Sequence, residues 1–163
     1  MFKTKNNLPE EIRVQVIENL NERLADSLDL QYQVKQAHWN VKGRNFYGLH
    51  LLFDEVAEGV EKYVDEFAER ITTLGGYANG TVRDAAKNSS LQEYPHGIIE
   101  TLEHAEAVST KLAEVGKKLR KGIDEMDEIG DVDTSDLYTE ASRAIDKFTW
   151  LVEAHTQDEK KES

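Results

Sequence analysis

Five potential metal ligands, His38, His50, Asp54, Asp65 and Glu69, fall within the stretch HWNVKGRNFYGLHLLFDEVAEGVEKYVDEFAER, residues 38–70. Imidazole and carboxylate together suit iron, zinc or manganese. The chain has no cysteine, which excludes thiolate sites, disulfides and thiol catalysis at once. From Phe46 to Leu74 the sequence reads as one long helix, on which each residue advances by about 100° and about 1.5 Å. On that wheel His50, Asp54, Asp65 and Glu69 share an arc of about 100°, one stripe of one face. Asp54 and Asp65 are nevertheless roughly 16 Å apart along the axis, too far for a common coordination sphere, so one chain carries two half-sites.

The spacing also suggests how the halves are joined. If two copies of this helix run antiparallel across a two-fold axis, a register in which paired residue numbers add to 119 sets His50 against Glu69 and Asp54 against Asp65 together. Such an isologous pair would complete two equivalent sites, with centres roughly 22 Å apart. Gly59 lies near the midpoint, but its wheel angle points away from the stripe and marks a close helix-packing position. A lone histidine on a helix is usually structural, and His96, His104 and His155 keep that reading, with His104 beside Glu100 on an expected exposed face.

The elements that must position the ligands follow from hydrophobic periodicity. Asn7 with Glu10 three places on resembles a capping box, and Pro9 suits a first turn. Leu8, Ile12, Ile17, Leu20, Leu24 and Leu28 then keep helical spacing, in a helix that runs to about Val41 and carries His38 on its last turns. Lys42-Gly43-Arg44-Asn45 is a tight break, so the next helix folds back and brings His38 near His50. That second helix stops at Gly75-Gly76.

Turn chemistry fills Tyr77 to Gly97, with a short helix expected over Val82 to Ala86. A connection this long suits a bundle whose second and third long helices run parallel. Ile98, Leu102, Ala105, Leu112, Val115, Leu119 and Ile123 mark the third long helix. Leu137, Ala141, Ile145, Phe148 and Val152 mark the fourth, with Asp133 as its expected N-cap. The fold class expected is all-α, a four-helix bundle in one domain over 1–163, with a mobile arm at 1–7 and a frayed tail at 155–163.

Length and composition agree with this reading. With 163 residues and 39% hydrophobic content the chain can bury the core of one domain. No apolar run approaches the ~18 residues of a membrane span, and the first fifteen residues lack the apolar centre of a signal peptide, so a cytoplasmic protein is expected. A formal charge of −12 argues against a generally basic nucleic-acid surface and favours attraction of cations.

These residues resemble the Dps proteins, DNA-binding proteins from starved cells, a miniferritin branch of the ferritin-like fold. The resemblance covers most of the chain. It is most specific at His38-Trp39-x-Val41-x-Gly43, at Leu49-His50 with Asp54, and at Asp65-x-x-Ala68-Glu69-Arg70 leading to Leu74-Gly75. It implies a homododecameric hollow shell of tetrahedral symmetry with ferroxidase sites at its two-fold interfaces. His38, His50 and Asp54 would come from one subunit, and Asp65 and Glu69 from its neighbour. Iron would be oxidised, by hydrogen peroxide in preference to dioxygen, and stored as ferric mineral; the ligand types themselves leave zinc as a competing occupant.

Trp39, next to a ligand, is either an electron relay or core packing. The acidic run from Asp124 to Asp136 reads as a solvated helix terminus. By resemblance it lines a three-fold iron pore, where Glu128 and Asp136 align with pore carboxylates and Val132 departs from an acidic position of some relatives. Family members that bind DNA often use a long lysine-rich arm. Here only Lys3 and Lys5 precede the first helix, and Lys160 and Lys161 stand among acids, so weak DNA binding is expected.

The expected function is therefore a ferroxidase and iron store that protects against oxidative stress. One alternative is a nucleoid-associated structural protein that compacts DNA, with the metal sites secondary. The other is a di-iron enzyme with its site inside one bundle, which needs paired Glu-x-x-His motifs; the chain has no such pair.

Overall fold

The computed structural model describes residues 1–157. Residues 158–163, and with them Lys160, Lys161 and most of the expected frayed tail, lie outside the described residues. Those described fold into α1 (Glu10–Asn40), α2 (Phe46–Thr73), α3 (Val82–Asn88), α4 (Thr101–Ile129) and α5 (Val132–Glu153). The four long helices form the bundle and α3 rides on the crossover, as the periodicity predicts.

Side-chain ties fix the topology. Arg13 reaches Leu74 while Lys35 reaches Asp54, so α1 and α2 are antiparallel. Asn19 meets Glu125 while Asp26 meets Lys118, so α1 and α4 are antiparallel too. Two helices antiparallel to a third run parallel to each other. The chain must therefore traverse the length of the bundle between α2 and α4, which is what the long crossover does.

The core is the apolar stripe of each long helix turned inward. Leu20, Leu24, Leu30 and Val34 of α1 meet Phe53, Val60, Phe67 and Ile71 of α2, and Leu112, Leu119, Tyr138 and Ile145 close the far side. Full burial of side chains such as Phe53 and Phe67 stabilises by about 1.5–3 kcal/mol each. α2 also approaches α5 very closely at Gly59, where a Cβ would stand 2.2 Å from the Phe148 ring. That is the close packing its wheel angle indicated, and the neighbour is a helix of the same chain.

Four helix ends differ from expectation; one is that of α4, which begins at Thr101 and leaves Ile98, expected within it, in the crossover. The Asn7–Glu10 capping box does not form. Pro9 is the N-cap of α1, without a side-chain cap, and the Asn6 side chain instead accepts from the Leu8 N–H two residues on. α5 is capped by Asp131, not Asp133. Its carboxylate accepts from the Thr134 N–H and hydroxyl, and it is chosen because the Arg70 guanidinium is already there to receive it. α3 runs two residues further than expected, to Asn88, and opens on a Thr81–Asp84 capping box.

The termini of α2 are defined sharply. Asn45 adopts the left-handed region (φ 59°) just before its first turn, a conformation asparagine tolerates. At the other end Gly75 (φ 84°) and Gly76 donate to Thr72 and Ile71 in the doubly bonded glycine stop. Residues 1–7, expected as an arm, lie against this terminus. The Phe2 N–H donates to the Gly75 carbonyl, the Thr4 hydroxyl donates to Thr73, and Arg13 covers Leu74. Carbonyls that a helix end leaves without partners are thus satisfied by the arm and α1.

The crossover is pinned at several points. Asp26, 2% exposed, accepts from the Ser90 N–H and hydroxyl and pairs with Lys118. Asp29 takes the Ser89 hydroxyl, and Gln33 donates to the Gln92 carbonyl. Near its end the crossover accepts, at Ile99, the N–H of Lys42 in the loop between α1 and α2. His104 corrects an expectation. It is not on an exposed face but 1% exposed, because Tyr94 of the crossover folds over it and bonds its ring.

Candidate metal centre

α1 delivers His38 on its last turn, and α2 delivers His50 on its second. The break at 42–45 sets the two rings face to face, with centroids 3.8 Å apart and planes inclined by 18°. Each ring is then fixed by the other residue's backbone. His38 Nδ1 lies 2.7 Å from the His50 carbonyl oxygen, and His50 Nδ1 lies 2.8 Å from that of His38. A carbonyl only accepts, so both Nδ1 atoms carry the proton and donate. Both Nε2 atoms are left with lone pairs, the tautomer in which a histidine binds metal while its other nitrogen is held by a second partner.

Asp54 follows one turn after His50 and joins the pair, its Oδ1 4.0 Å from His38 Nε2. The same oxygen accepts from Lys35 Nζ at 2.5 Å. That hydrogen bond is the main reason the Asp54 carboxyl lies below its usual range; desolvation opposes it, and the Lys35 charge assists, as either imidazole would once protonated. The half-site thus holds one carboxylate in its charged, metal-binding form beside two oriented imidazoles. Lys35 was not singled out from the sequence, although it stands three residues before His38 on the same helical face, a spacing that places two side chains together.

The other two candidate ligands stand elsewhere. Asp65 and Glu69 are exposed on the C-terminal half of α2. Asp65 borders a surface groove with Leu24, Leu28, Glu58 and Lys62. Among the described residues neither makes a side-chain bond of its own, but the helix beneath them is held. Arg70 donates through Nε to the Thr134 hydroxyl (2.9 Å) and through a terminal nitrogen to Asp131 (2.7 Å), a carboxylate 2% exposed. Among the described residues, no three His, Asp or Glu side chains lie close enough to hold an ion. One chain therefore brings His38, His50 and Asp54 together and keeps Asp65 and Glu69 apart from them.

The remaining candidates are placed as follows. Trp39 is 62% exposed and so lies outside this chain's own core, and its ring lies 6.0 Å from Lys35 Nζ. Glu128 and Asp136 are exposed on either side of the α4–α5 turn, with Val132 exposed between them and Asp131 turned inward to Arg70. His96 and His155 are exposed. The isolated Glu93–His96 spacing falls on the crossover at Pro95, off any helix, and builds no site within the bundle. No described helix is long and apolar enough to cross a membrane.

Comparison with known proteins gives one answer. The ferritin-like domain family matches residues 17–161. The DNA protection during starvation protein of Agrobacterium fabrum is 42% identical over 156 residues, 96% of either chain. Among solved structures, the Dps of Mycobacterium smegmatis in its tetragonal form superposes with a TM-score of 0.92 at 31% identity, over 97% of this chain and 95% of that one. The Dps of Microbacterium arborescens in its high-iron form does so with a TM-score of 0.86 at 30% identity, over 95% and 99%.

Proposed function

The chain belongs to the ferritin-like proteins, in the branch of the DNA protection during starvation (Dps) proteins, and on that premise we propose that it oxidises ferrous iron at sites shared between two subunits and stores the ferric product. Iron oxidation and storage are the general function of the family. The observation that carries the reading to this chain is the reciprocal bonding of His38 and His50. It leaves two Nε2 lone pairs and the Asp54 carboxylate on one side of a site whose other carboxylates, Asp65 and Glu69, stand one helix half away. An antiparallel partner helix would bring them in.

In this reading the imidazoles hold ferrous iron, and the carboxylates favour the ferric product by charge. Hydrogen peroxide is the preferred oxidant, with dioxygen as the slower one. Each peroxide takes one electron from each of two ferrous ions, so that no hydroxyl radical is released. Trp39, beside the ligands and accessible, serves as an electron relay. The assembly is a homododecamer of one ferritin-like domain per chain, cytoplasmic, with Glu128 and Asp136 lining a pore that admits iron. DNA binding is weak. The net charge is −12, and the arm that bears Lys3 and Lys5 is tied to the end of α2 by the Phe2 N–H.

Two variants that should each be inactive test the shared site, one carrying His50→Ala with Asp54→Ala and the other Asp65→Ala with Glu69→Ala. Refolded together, the mixed two-fold pairs have one site with every lesion and one with all five ligands. Random co-assembly then restores about a quarter of wild-type fast oxidation. The readout is ferrous oxidation after peroxide addition in shells of confirmed size. Well-formed mixed shells no faster than either variant alone would refute the shared site.

A further inference from the structure

His104 takes no part in the chemistry above, yet it is among the most deeply buried polar side chains of the molecule. It sits on α4 three residues into the helix, 1% exposed. Its Nδ1 lies 2.6 Å from the hydroxyl of Tyr94, a crossover residue itself buried, and the two rings stack at 6.0 Å with an inclination of 18°. Burial pushes the Tyr94 phenol far above its usual range, so it stays protonated and is the donor. His104 Nδ1 must then accept, which places the proton of the neutral ring on Nε2. Nε2 is sealed from water without a hydrogen-bond partner.

This arrangement tolerates one charge state of the ring. A protonated His104 would present a second N–H at Nδ1 to a phenol that is already donating. Tyr94 would have to turn its hydrogen elsewhere in a site closed to water, and the new charge would be buried with no carboxylate hydrogen-bonded to the ring. The groups that act on the ring are few. The crossover contributes Tyr94 and the Ile98 carbonyl, and α4 contributes Glu103. Glu103 and the carbonyl favour the proton. Desolvation outweighs them and holds His104 below its ordinary value of 6.5.

We propose that the Tyr94–His104 pair is an acid-sensitive latch, which fastens the crossover to α4 at neutral pH and releases it when His104 takes up a proton. Because Ile99 of the same segment accepts from Lys42, release also loosens the loop that joins α1 to α2. The sign of the latch follows from linkage: a histidine whose folded value is depressed contributes stability that is complete above 6.5 and declines as the pH falls toward the folded value.

Amide hydrogen exchange on the assembled wild-type protein between pH 7.5 and 5.5, corrected for intrinsic rates, tests this. Residues 89–100 and 41–45 should lose protection by up to about tenfold per pH unit below 6.5, while the centres of α1 and α2 keep theirs. His96→Gln, at an exposed crossover histidine, should behave like wild type. His104→Gln can still accept from Tyr94 but does not titrate, and should show no acid step. Tyr94→Phe should lower crossover protection roughly fivefold already at pH 7.5. Unchanged crossover protection in wild type, or an acid step that survives in His104→Gln, overturns the latch. Should His104→Gln not assemble, His96→Gln decides: a step that persists there supports the latch, and one that vanishes assigns it to His96.

Discussion

At the N-terminal end of α2 the candidate ligands are themselves the fixed parts. His38 and His50 lock each other through backbone carbonyls, and Lys35 holds the Asp54 carboxylate. At the C-terminal end Asp65 and Glu69 are held by nothing of their own, and the fixed parts surround them: Arg70 on Asp131 and Thr134, and the arm on Gly75. Imidazoles must present one nitrogen in one direction, so their orientation is built in. A carboxylate has two equivalent oxygens and can adjust, so it suffices to place the backbone. The histidine half is organised at the level of side chains and the acidic half at the level of the scaffold.

That contrast predicts unequal responses to substitution. Arg70→Ala should have the largest effect, about 3–5 kcal/mol of lost stability in chemical denaturation, since it strands the buried Asp131. Arg70→Lys should recover only part, because one point charge cannot serve Asp131 and Thr134 together. A loss below about 1 kcal/mol, the size expected of an exposed ion pair, would mean that the acidic end is not scaffolded by this pair. Asp54→Ala comes next, slowing peroxide-driven ferrous oxidation at least about a hundredfold while shell size is unchanged. Fast oxidation by that variant would remove the histidine half from the chemistry.

The contrast is sharpest in a pair of metal-free melts. His50→Ala removes the ring stacked on His38 and its bond to the His38 carbonyl, and should cost about 1–2 kcal/mol. Glu69→Ala, at an exposed position with no partner bond, should stay within about 0.5 kcal/mol. Equal costs would erase the distinction between the two ends. The smallest effect is a matter of pH. Lys35→Gln should let the Asp54 carboxyl rise toward its ordinary 3.8. A depressed carboxyl contributes above its unfolded value and fades as acid carries the pH through the folded one. The variant should therefore differ from wild type in carboxylate protonation followed by infrared spectroscopy below pH 4, and match it near neutrality.

Much of this was written in local pattern. The periodicity of α2, its stop at Gly75-Gly76 and the break at 42–45 depend on neighbours in sequence, and each stands where it was expected. What sequence reading missed depends on distant partners. His104 looks exposed because Glu100 stands beside it on the helix face, and only the return of the crossover with Tyr94 buries it. Asp131 and Asp133 are equally good N-caps by type, and the choice between them is made by Arg70, some sixty positions earlier. Lys35 carries no metal-ligand signature, so a search for ligands passed over the cation that holds one of them.

The close approach of Gly59 to Phe148 can be read as a mechanical tolerance. A methyl at position 59 would stand 2.2 Å from the Phe148 ring, so either the ring is displaced or α2 is pushed off α5 by a large fraction of an ångström. Metal–ligand distances hold to within roughly 0.2 Å. Residue 59 lies midway between His50 and Glu69, so a displacement there moves both ends of the helix. The empty space of one glycine, on the side of α2 that faces away from the ligands, thereby sets the alignment of a site it never touches.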